Sequence, residues 1–178
     1  MAQAAGVSRQ AVYLHFRSKT GLLLRMVDYV WQKEAPTRPV ARWRNASTGI
    51  EALDAALAIH LAYEPRIYRF GRVLHAARRE EPAAAAAWTN RMAARRANYR
   101  KVTEWLARDG VLVEGWSVTE AADLLWALTS FHMFENLVVE RRWPKRRYQR
   151  QLRTVIGRVL LKPVAELHVP SRAMRKTT

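Results

Sequence analysis

Residues Ala2–Phe16 read AQAAGVSRQAVYLHF, and their spacing decides the kind of protein to expect. Ala2, Gly6 and Val12 fall at the separations where a small residue on one helix, a turn glycine and an apolar residue on the next helix meet in a helix-turn-helix. Ala2 admits close approach of the two helices, Gly6 can take the positive φ that ends the first, and Ser8 can cap the second by accepting a backbone N–H. The spacing predicts a second helix from Arg9 to Phe16, with Val12 and Phe16 one turn apart on its buried face.

On that helix Gln10, Ala11 and Leu14 face outward, while Tyr13 and His15 lie on opposite flanks. This suits a helix laid in a DNA major groove, with its flanks on the two phosphate strands and its outer face on base edges. Spacing alone leaves a second reading open, because short helices joined by Gly-Val-Ser also occur in proteins that never touch DNA.

The run Ala4–Phe16, AAGVSRQAVYLHF, followed by Ser18–Leu23, SKTGLL, resembles the DNA-binding signature of the tetracycline-repressor (TetR) family. The resemblance extends to about Lys33. It implies an all-α homodimer that a small-molecule ligand releases from double-stranded DNA. It also implies that the positions of Tyr13, His15 and Lys19 touch phosphates. With Ser8, Arg9, Gln10, Ala11 and Leu14 these form the candidate DNA-contacting set. Ala11 stands where the family more often carries Thr. The family's first helix, with the start of its second, would precede Ala2, so the expected helix-turn-helix head is N-terminally truncated.

Composition narrows the rest. A chain of 178 residues can bury a real core, and without cysteine it has neither a disulfide framework nor a thiolate site. No apolar run is long enough to cross a membrane, and the N-terminus lacks the charged-then-apolar pattern of a signal peptide, so a cytoplasmic protein with no membrane partner is expected. The net charge of +16 is unevenly placed: residues 1–45 carry +6, residues 46–140 carry −1 and residues 141–178 carry +11. A neutral middle between basic ends points to polyanion contact at the ends.

Along the chain, Ser18 can cap a helix with an apolar stripe at Leu22, Leu23, Met26, Val27, Val30 and Trp31, running to Glu34. Its first residue, Lys19, sits at the positive end of the helix dipole, which makes sense if a phosphate binds there. Pro36 and Pro39, followed by a stretch with little periodicity, mark a boundary. The expected units are a head at 1–35, a helical ligand-binding and dimerisation body at 36–165, and a basic, patternless tail at 166–178. In the body, a helix from Ile50 is interrupted by Pro65, which starts another. Pro82 starts a longer one ending at Asp109-Gly110. Ser117-Val118-Thr119-Glu120 fits a capping box. The helix it opens is expected to reach Glu140 and is apolar all round, so a second copy of the chain is expected to cover one side, with Leu128 and Phe131 at that interface. Pro144 starts a last helix that ends before Pro163.

The histidines at 15, 60, 75, 132 and 168 show no metal-ligand spacing, and no Gly-rich phosphate loop or nucleophile setting is present. No catalytic residue, metal or cofactor is expected. His132 and Glu135, three apart, read more simply as a hydrogen-bonded polar pair. His60, Tyr63, Trp88, Tyr99, Trp105 and Trp126 are the candidate ligand-binding residues, since bulky rings with a few polar groups can line a pocket, although the same rings also suit an ordinary core. The expected function is a DNA-binding transcriptional regulator released by a small molecule. The alternative is a helical ligand-binding or scaffolding protein that has lost DNA binding.

Overall fold

A computed structural model describes Gly6, Ser8, Gln10 and residues 18–163. The described elements are helices: α1 (Lys19–Glu34), α2 (Thr37–Arg44), α3 (Gly49–Ala77), α4 (Pro82–Arg108), α5 (Val118–Leu128), α6 (Phe131–Phe134), a π-helical segment (Glu135–Glu140) and α7 (Lys145–Leu160). The protein is therefore all-α, as its periodicity predicts. The basic tail lies outside the described residues.

Helix α1 begins as expected. Ser18 is extended, and its hydroxyl accepts the Gly21 N–H at 3.0 Å, satisfying one of the orphan donors of the first turn. Its apolar stripe docks on the body, where Val27 is buried with Leu74 of α3 and Ala84 and Ala87 of α4.

Three expectations are corrected. The segment after Pro36 is not irregular, because α2 forms there with Pro36 as its N-cap residue and Pro39 in its first turn. A proline in the first turn loses nothing, since those N–H groups have no partner inside the helix. Second, Pro65 does not divide two helices but lies within α3. Proline removes the N–H that would bond the carbonyl four residues back. That carbonyl belongs to Leu61, and the side chain of Gln149 on α7 donates to it at 3.3 Å.

Third, the helix opened by the capping box stops early. The box itself forms: the Ser117 hydroxyl accepts the Glu120 N–H at 3.2 Å and the Glu120 carboxylate accepts the Ser117 N–H at 3.0 Å. At Thr129 the hydroxyl donates back to the Leu125 carbonyl at 2.6 Å, and Ser130 turns extended and caps a new start at α6. The break rotates the downstream faces. Phe131, expected on a surface shared with another copy, is buried inside the subunit along with Phe134.

The main core joins Leu57 and Leu61 of α3, Val102 and Leu106 of α4, Leu125 of α5 and Leu152, Ile156 and Leu160 of α7. Helices α3 and α4 approach closely at Gly49, where an added β-carbon would lie 2.6 Å from the Leu106 nitrogen. An isolated antiparallel bridge, Leu112 to Leu161, closes the loop after α4 onto the end of α7. Asp54 ties three helices, pairing with Arg42 of α2 and Arg153 of α7 from its place on α3. Among the described residues no helix is long and apolar enough to cross a membrane.

Candidate DNA-facing head and ligand cavity

Of the candidate DNA-contacting residues, Arg9, Ala11, Tyr13, Leu14 and His15 lie outside the described residues. Gly6 has φ +65°, the left-handed conformation that the turn reading requires. Ser8 and Gln10 are exposed, Gln10 is helical, and Lys19 is the first residue of α1, directly after its cap.

Helices α1 to α4 and α6 line a partly open cavity of about 410 Å³, within the usual size range of a small-molecule site. Its floor follows from helical periodicity. On α3, His60, Tyr63, Glu64, Ile67 and Gly71 recur at three- and four-residue steps and share one face. From α4, Trp88, Arg91, Met92, Arg95 and Tyr99 do the same. Phe131 of α6 closes one end. Helices α1 and α2 complete the wall with Val27 and Trp31, and with Val40 and Trp43. Trp31 meets Tyr63 edge to face, with ring centroids 4.9 Å apart.

The structure thus brings four of the six expected ligand residues, His60, Tyr63, Trp88 and Tyr99, to one cavity. Two are elsewhere. Trp105 stacks parallel to Trp43 at 6.3 Å, with the Arg108 guanidinium over its ring, and cements α2 to α4. Trp126 borders a smaller space of about 150 Å³, which Trp88 also lines. Its indole N–H donates to the Met92 carbonyl at 3.3 Å. Periodicity on a single helix could not place either ring, because each is turned by a neighbouring helix.

His60, Glu64, Arg91, Arg95, Asn98 and Tyr99 supply polar groups to the cavity lining. Glu64 is 6% exposed, and one of its carboxylate oxygens lies 2.7 Å from Nε2 of His60. The two atoms meet outside hydrogen-bond alignment, so neither is satisfied by the other. Arg95 donates to the Trp126 carbonyl at 2.6 Å and the Thr129 carbonyl at 3.2 Å, holding its charge at the negative end of α5. Burial nevertheless lowers its pKa from the ordinary arginine value. Burial also pushes the Tyr99 hydroxyl up to about 12. Tyr148, whose hydroxyl is buried without a hydrogen-bond partner among the described residues, is raised too, first by burial and then by the Glu64 charge.

Tyr68 stacks on Phe131 at 5.2 Å and donates to Glu135 at 2.7 Å, joining α3 to the π-helical segment. His132 and Glu135 approach to 3.8 Å. Among the described residues no group of three His, Cys, Asp or Glu side chains could hold a metal ion.

Glu64, Arg91, Arg95 and Trp31 were not singled out as ligand residues by sequence. A signal existed for Glu64, a lone carboxylate one turn after His60 on a face otherwise made of Ile59, Tyr63 and Ile67. None existed for Trp31, whose role depends on how the head docks.

Residues 1–26 match the family described as bacterial regulatory proteins, tetR family. The chain shares its fold with the crystal structure of a TetR-family transcriptional regulator from Rhodococcus sp. The TM-score is 0.64 at 18% identity, covering 89% of this chain and 84% of that one. A structure from a study of the control of antibiotic production by bacterial hormones aligns with a TM-score of 0.47 at 20% identity, covering 90% of this chain and 84% of that one. No curated protein matches the sequence.

Proposed function

We propose that this chain is a non-enzymatic, DNA-binding transcriptional regulator of the TetR type, whose affinity for its operator is set by a small molecule in the body. The observation that carries the reading is the shared wall. Val27 and Trp31 belong to the helix that follows the recognition segment, and both border the cavity. A molecule entering that space therefore meets the head directly. If it fits better with α1 displaced, it favours a head position other than the DNA-bound one and weakens DNA binding without touching a base.

In this reading the recognition segment Arg9–Phe16 enters the major groove, with Tyr13, His15 and Lys19 on phosphates and Gln10, Ala11 and Leu14 on base edges. The chain acts as a homodimer in the cytoplasm, because two heads read two half-sites about 34 Å apart or at a multiple of that distance. Support for a second copy comes from α7, which leaves Val155 exposed although its opposite face, with Tyr148, Leu152, Ile156 and Leu160, is buried. The body-and-cavity plan, the match at residues 1–26 and the fold all agree with this function.

The test is the salt dependence of duplex DNA binding by fluorescence anisotropy. Wild type should bind with a steep negative slope, and Lys19→Ala should lower that slope by about one while weakening all sequences alike. An unchanged slope removes Lys19 from the interface. No binding at low salt rejects the function.

A further inference from the structure

We infer that the molecule held in the 410 Å³ cavity is an organic cation: an apolar, preferably aromatic body carrying a protonated amine. The inference rests on the ligand-responsive reading above and names the chemistry of that same site. Among the described residues Glu64 is the only carboxylate that borders the cavity, and it is 6% exposed. Its nearest cationic candidate is His60 at 2.7 Å, in a contact too misaligned to satisfy either atom. Removing a carboxylate from water is unfavourable unless a charge and good hydrogen bonds replace the lost hydration.

The arginines nearby do not supply that partner. Arg95 gives its terminal nitrogens to the Trp126 and Thr129 carbonyls and lays its guanidinium 5.2 Å over the Trp126 ring. Arg91 lies 5.7 Å over the ring of Trp31, which packs on Tyr63 of α3. Neither forms an ion pair with Glu64 among the described residues. Glu64 has His60 beside it and feels the Arg95 charge through space, but its Oε2 lacks an aligned hydrogen-bond donor, which a cation delivered into the cavity can supply. A primary ammonium group offers three such donors.

The remainder of the cavity suits the rest of such a molecule. Tyr63, Tyr99, Trp88 and Phe131 present rings around it, and ring faces attract cations as well as apolar groups. A carboxylate placed where the amine is expected would instead meet Glu64, like charge against like charge. Glu64 and His60 supply the polar anchor and Leu74 and Phe131 belong to the apolar lining, so the amine is directed toward Glu64 and the ring lies among the apolar side chains.

Calorimetry with three probes of one shape tests the idea: 1-naphthylmethylamine, 1-naphthylmethanol and 1-naphthoate. The wild-type chain should bind the amine at least about tenfold more tightly than the alcohol, the ratio expected for one charge-assisted hydrogen bond, and the carboxylate most weakly. Glu64→Gln should bring the amine to the level of the alcohol and leave the alcohol unchanged. Equal affinities in wild type, no amine binding, or a preference for naphthoate would each overturn the inference without any variant having to fold. DNA binding is measured separately. A chain that binds DNA but prefers naphthoate keeps its regulatory function and loses this ligand class. One that binds the amine but no DNA does the reverse.

Discussion

Trp31 of α1 and Tyr63 of α3 meet edge to face at 4.9 Å, and this contact joins α1 to the wall of the cavity. Aromatic pairs of this geometry contribute about 0.5–1.5 kcal/mol beyond their buried area. Trp31→Ala should therefore loosen α1 selectively. Hydrogen exchange should speed up severalfold across α1 amides and stay unchanged in the core of α4. Equal exchange in both proteins would mean that Val27 and its apolar neighbours hold the head unaided.

The Gln149 side chain and the Leu61 carbonyl make a second joint, which exists because Pro65 has no N–H to offer. Replacing Gln149 by Leu should leave that carbonyl unsatisfied and destabilise the fold by about 1–3 kcal/mol. Pro65→Ala restores the helix's own donor. In that background Gln149→Leu should be markedly less harmful, and chemical denaturation of the four proteins gives the coupling. Full additivity would contradict the account.

Two glycines make a matched pair. A methyl group at Gly49 would press on the backbone of Leu106 and Trp105 at 2.6 and 2.7 Å, and backbone cannot step aside. Gly49→Ala should destabilise by about 1–3 kcal/mol or more. Gly157 in α7 faces open space, so Gly157→Ala should stabilise by up to about 1 kcal/mol through helix propensity. Thermal melts that rank the two variants in the opposite order would refute the packing described here.

Alkaline pH should act through Tyr99 and Tyr148. Both fold with pKa values raised above the ordinary 10.0, Tyr99 to about 12. Below pH 10 they are neutral folded or unfolded, and the benefit of their burial is complete. As pH climbs toward 12 the unfolded chain releases protons that the fold retains, so stability falls. Tyrosinate absorbance should show these two ionising only as helical circular dichroism is lost. All six tyrosines titrating near 10 with the helices intact would overturn the assignment.

Much of this was legible in the sequence where local chemistry acts alone. Ser18, the Ser117–Glu120 box, Pro82 and Asp109-Gly110 each mark a real helix end, because caps and breakers work within one turn. The readings failed where a distant group intervened. Pro65 looked like a boundary because its solution, Gln149, lies 84 residues away. Phe131 looked like an outer residue because the break at Thr129 and Ser130, where the Thr129 hydroxyl bonds back to Leu125 and the Ser130 hydroxyl caps the next helix, carries no apolar signal. For the cavity, the faces of α3 and α4 were readable as periodic stripes, and four rings were placed together. The contribution of α1 was not readable, since it depends on how two helical units dock.

The most direct test is selection of binding sites from a pool of random duplex DNA, followed by anisotropy on the winner. The account predicts enrichment of a two-fold symmetric site whose half-sites lie one helical turn or a multiple apart, bound by a dimer in sedimentation. Leu14→Ala should change the preferred base at one or two positions of each half-site. Failure to enrich any sequence, or a monomer at micromolar concentration, would contradict it.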